Sequence, residues 1–68
     1  MTLIITPNLK DPDEVYATLI AAHKGLSEAE SHAMNARLVL LLMNHIGDLG
    51  VIEAALHAAR QSELQKAG

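Results

Sequence analysis

SEAESHAMNARLVLLLMNHIGD, residues 27–48, is the stretch whose reading decides the fold. Ser27 followed three positions later by Glu30 is a capping box. The serine hydroxyl and the glutamate carboxylate satisfy backbone N–H groups that a helix start leaves without partners. Gly47 stands where a helix ends, because glycine enters the left-handed conformation without a Cβ penalty. A helix over Glu28–Ile46 follows. Its first two turns are polar on one side, with Met34 and Leu38 directed inward. From Leu38 onward it is apolar all round, and a helix apolar on every face needs cover on every face. A chain this short has too few elements to supply it, so a neighbouring chain is expected to.

Asp11-Pro12-Asp13-Glu14 marks the helix before it. Asp11 caps, Pro12 fits the first helical position, and Glu14 completes the box. This helix is expected from Pro12 to about Lys24, with Val15, Tyr16, Leu19, Ile20 and Ala22 as its stripe and Gly25 as its stop. Asp48 caps a last helix over about Leu49–Gln65, with Val51, Ile52, Ala55, Leu56 and Ala59 on its apolar face. Residues 2–6 are β-branched-rich and stop at Pro7, too few for a sheet. They are expected as an arm packed on their own or a neighbouring subunit. The organisation is one helical domain over 1–68: an extended arm (1–10), helices within 11–25, 27–47 and 48–65, and a frayed tail (66–68). The fold class is all-α, a compact three-helix domain with a short extended N-terminal arm, self-associating.

Composition supports association. Half of the 68 residues are apolar, yet eleven are Ala and Tyr16 is the one aromatic, so no deep aromatic core is available. A core of this size rarely supplies more than about 3–5 kcal/mol, and small domains usually carry a staple. With no cysteine, neither a disulfide nor a Cys-based zinc site can serve. A formal charge of −3 gives no basic footprint for nucleic acid. The longest apolar run, Leu38–Met43, falls far short of the roughly 20 residues of a membrane span. The start lacks a basic n-region and a cleavage signal, so a cytoplasmic location is expected.

No catalytic constellation is visible. His23, His32, His45 and His57 do not fall at metal-ligand spacing on one helix face, and no metal or other cofactor is expected. Ser27 reads as a cap, Ser31 and Ser62 as surface. Gly47-Asp-Leu-Gly50 lacks the lysine and third glycine of a phosphate loop. On a helical wheel Glu30, Arg37, Asn44 and Asp48 share a narrow polar stripe, with His45 beside it. Either Arg37 and Asp48 pin the helix–helix turn while Asn44 caps it, or Arg37, Asn44, His45 and Asp48 line a contact surface or shallow pocket. Glu30 or Asp48 would be the carboxylate for a buried Arg37. The apolar part of the interface is expected at Leu38, Val39, Leu42, Met43 and Ile46.

Three strings carry a resemblance: P-N-L-x-D-P-D from Pro7, G-L-S-x-x-E from Gly25, and N-A-R-L-V-L-L-L-x-N-H-I-G-D over Asn35–Asp48. Together they resemble a family of short bacterial proteins, domain of unknown function family 2783. The resemblance implies a compact helical protein of no assigned activity and transfers no catalytic residue. It also implies a setting beside flavin-dependent or aromatic-degrading oxygenases. More loosely, Gly25-Leu26-Ser27 with Glu30, Arg37 and Gly47 is similar to the small helical subunit of protocatechuate-type extradiol dioxygenases. The turn here, His45-Ile46-Gly47-Asp48, lacks that family's paired glycine.

The function expected is that of a non-catalytic interaction or accessory protein acting through a helical interface. The alternative is a small accessory subunit of an aromatic-ring or flavin-dependent oxygenase complex. Expected partners are a second copy, with a dimer favoured, or a larger enzyme subunit. Neither nucleic acid nor a membrane is expected.

Overall fold

Three helices follow one another in a computed structural model that describes residues 1–67, with side chains through residue 65: α1 (Pro12–His23), α2 (Glu28–Ile46) and α3 (Leu49–Ala67). The domain is all-α, and no strand occurs among the described residues. The starts are capped at Asp11, Ser27 and Asp48, but the box expected at Asp11 and Glu14 forms only by half, with no return bond to the Glu14 carboxylate among the described residues. Asp11 accepts from the Glu14 N–H at 3.0 Å, with Pro12 opening α1. At α2 both halves of the capping box form: the Glu30 N–H donates to Ser27 Oγ at 3.1 Å, and the Ser27 N–H donates to Glu30 Oε1 at 2.9 Å. Asp48 Oδ1 accepts from the Val51 N–H at 3.1 Å and so caps α3.

The ends differ in detail from the sequence expectation. Helix α1 stops at His23, and Lys24 is its cap, with its N–H donating to the Ala21 carbonyl. Gly47 ends α2 at φ +65°, its N–H donating to the Met43 carbonyl at 2.9 Å. That backbone conformation is strained for any residue with a Cβ, so the cap is Gly47 and not Asn44. Helix α3 continues past Gln65 to Ala67, so residues 66 and 67 of the expected tail are helical; Gly68 lies outside the described residues. The arm is irregular up to Asp11. Its Leu3 is half-buried, and the N-terminal ammonium lies 3.8 Å from Asp48 Oδ2, which brings the arm to the α2–α3 junction.

The helices do not close on a shared interior. Val51, 7% exposed, is the one buried hydrophobic side chain among the described residues. The chain exposes 6143 Å², whereas a folded monomer of 7.3 kDa exposes about 4,200 Å². The radius of gyration is 13.8 Å, against about 11 Å for a compact chain of this length. Two open grooves result, one on either side of α2. Toward α3, Val39, Leu42, Met43 and Ile46 share a groove with Ile52, Ala55, Leu56 and Ala59. Toward α1, Met34, Leu38 and Leu41 share one with Val15, Leu19 and Ala22.

Candidate functional site: the groove between α1 and α2

Helix α1 places Val15, Thr18, Leu19 and Ala22 on one side because they recur at helical spacing. Helix α2 answers with Met34, Leu38 and Leu41, also at helical spacing. The hollow between them has a volume of about 530 Å³ and is open to solvent. Its lining is apolar apart from two groups. The Thr18 hydroxyl is already satisfied, donating to the Glu14 carbonyl at 2.8 Å. The other is Arg37, exposed on α2.

A single side-chain bond spans the two helices among the described residues. His23 Nδ1 lies 2.8 Å from the Leu19 carbonyl oxygen and Nε2 lies 2.9 Å from Asn35 Oδ1. Two oxygens about one imidazole call for an N–H on each nitrogen, or for the Asn35 amide turned over so that its NH2 donates. Either arrangement fixes the end of α1 against α2.

The polar stripe expected on α2 is partly assembled. Glu30 and Arg37 line one hollow with Ala22 and Met34. Arg37 and Asn44 line another with Leu40 and Leu41. Asp48 leaves the stripe, since α2 ends before it and its carboxylate caps α3. His45 is exposed and lines neither hollow. Nor is Arg37 held by Glu30 or Asp48. The one ion pair among the described residues joins Asp48 to the N-terminal ammonium. Glu30 is engaged in the capping box, which pulls its carboxyl below the ordinary value, first through the Ser27 backbone N–H and then through the Ser27 hydroxyl.

The expected apolar interface divides. Leu38 faces the α1 groove, whereas Val39, Leu42, Met43 and Ile46 line the groove toward the chain's own α3. The most open leucines of α2 are Leu40 and Leu41, at 66% and 68% exposure. The expected interface leaves out Leu41, and the sequence assigns Asn35 no contact. The spacing Met34, Leu38, Leu41 signals the first; nothing in the sequence singles out the second.

Among the described residues no three His, Asp or Glu side chains gather closely enough to hold a metal ion. No described helix is long and apolar enough to cross a membrane. The groove offers apolar surface, one hydroxyl and one cation.

No curated protein and no solved structure is significantly similar to the chain. The looser likeness to a ring-cleaving dioxygenase subunit gains no support from these comparisons. The family described as protein of unknown function (DUF2783) matches residues 3–61, which is most of the chain, and the chain belongs to that family.

Proposed function

We propose that this chain is a non-catalytic interaction module that works by burying the open α1–α2 face against another helical surface. The observation that carries the reading is the exposure of Leu40 and Leu41 beside the apolar groove. Singly exposed leucines are ordinary, but a contiguous apolar face on a small chain marks an interaction surface. An accessory role beside a larger oxygenase subunit would be one form of this reading, and it draws on the family resemblance alone.

Hydroxyl-radical footprinting inside cells tests the proposal. Labelling of Leu40 and Leu41 is expected to fall several-fold below that of the urea-unfolded chain. Labelling as strong as in the unfolded chain overturns it.

A further inference from the structure

Building on the interaction reading, we infer that the occupant of the α1–α2 groove is a second copy of this chain. The pair is a two-fold homodimer in which Glu14 of each protomer meets the partner's Arg37.

Area argues for a copy of this size. The protomer's 6143 Å² exceeds the expectation for its mass by about 2,000 Å². Obligate homodimers bury about 2,000–5,000 Å² in total, or roughly 1,000–2,500 Å² from each partner. That surplus is spread over both grooves and the arm, and it is large enough to include one side of such an interface.

Charge argues for the pairing. Arg37 is the one Lys or Arg between Lys24 and Arg60, and it stands at a groove whose other polar group is the Thr18 hydroxyl, with no carboxylate in ion-pair range among the described residues. At the other end, Lys10, Asp11 and Glu14 line a hollow that shares Val15 and Thr18 with the main groove. Asp11 spends one carboxylate oxygen on the α1 cap, and the Glu14 carboxylate has no hydrogen-bond partner among the described residues. Lys10 offsets one of the two negative charges, so that end is net acidic. Glu30 shares a hollow with Arg37 but spends its carboxylate on the Ser27 N–H, so Arg37 stays without an ion-pair partner among the described residues. A two-fold axis can bring the net-acidic end of one surface to the unpaired Arg37 of the other.

Register argues that the two ends meet. Thr18 lies midway between Glu14 and Ala22, four residues or about 6 Å from each along the helix. An axis crossing α1 at Thr18 sets residue 14 of one protomer opposite residue 22 of the other. Ala22 lines both the main groove and the hollow shared by Glu30 and Arg37. The partner's Glu14 thus arrives beside Arg37, and the symmetry repeats the contact.

Sedimentation velocity of the full chain, with far-UV circular dichroism, tests the inference. The wild-type chain is expected at twice its 7.3 kDa mass. Arg37→Glu and Glu14→Arg should each weaken the dimer roughly 100-fold, since both cross-contacts become like-charged. An equimolar mixture of the two variants should recover the dimer, because both contacts in the mixed pair again join opposite charges. If either variant unfolds alone, the mixture should recover helicity together with mass. A monomeric wild-type chain, a dimer indifferent to both substitutions, or a mixture that does not recover overturns the inference. A monomeric chain whose Leu40 and Leu41 are nonetheless protected in cells would remove the second copy as the occupant and leave the interaction reading standing.

Discussion

His23 and Asn35 form the one side-chain hydrogen bond that joins α1 to α2 among the described residues, with Nε2 2.9 Å from Oδ1. Its neighbour bond, from Nδ1 to the Leu19 carbonyl at 2.8 Å, holds the ring in place. In a chain whose helices share little buried surface, this pair sets where α1 lies on α2. It therefore also sets the width of the groove.

Asn35→Ala is expected to lower stability by about 1 kcal/mol, the usual net worth of a protein hydrogen bond. His57→Ala, on the exposed side of α3, should stay within about 0.5 kcal/mol of wild type. Urea unfolding at one fixed protein concentration checks both. Concentration must be held, because association shifts apparent stability.

The Ser27–Glu30 box carries a pH signature. The Glu30 carboxyl is lowered from an ordinary value of 4.5 by the Ser27 groups that bind it. Its ionised form is thus favoured in the folded state. The contribution is full above the unfolded value and is lost as pH falls through the lower folded value. Between pH 6 and pH 3, Glu30→Gln should show a shallower loss of thermal stability than wild type. Ser27→Ala should cost about 1 kcal/mol at neutral pH through the lost cap.

Asp48 separates two roles by substitution. Its Oδ1 accepts from the Val51 N–H, while Oδ2 sits 3.8 Å from the N-terminal ammonium. Asp48→Asn retains a capping oxygen and should shift stability by no more than about 0.5 kcal/mol, since exposed ion pairs contribute little. Asp48→Ala removes the cap and should cost about 1 kcal/mol. Chemical denaturation of the three chains, with hydrogen exchange at Leu3, distinguishes loss of the cap from release of the arm.

Gly47 makes a conformational test. A Cβ at this position would meet only the Asn44 carbonyl oxygen, at an ordinary 3.7 Å, so space is not the obstacle. The positive φ is. Gly47→Ala should cost about 1 kcal/mol and Gly47→Asn less, because asparagine tolerates the left-handed region better. Melting temperatures in the order Gly, Asn, Ala check it.

The helix starts were legible because capping is local: Asp11, Ser27 and Asp48 each act within three residues of their own position. The α2 boundaries followed from Ser27 and Gly47 for the same reason. The assignment of faces was less legible. An all-apolar run such as Leu38–Met43 has no polar side to show which part meets α1, which meets α3 and which stays open. The stripe failed at Asp48 because a wheel continues the helix geometry past the residue at which the helix has stopped. The His23–Asn35 bond spans twelve positions and depends on how two helices are set together, which no local pattern encodes.

The position of Val51 bears on how the chain is made. Its burial lies at the start of the last helix, and the carboxylate near the N-terminal ammonium belongs to Asp48. As synthesis proceeds, the arm, α1 and α2 leave the ribosome before either contact exists. About two-thirds of the chain, including its most apolar stretch, then waits for α3 to emerge. A fragment that stops at Gly47 should therefore be cut by protease far faster than the full chain, because it lacks both Val51 and Asp48.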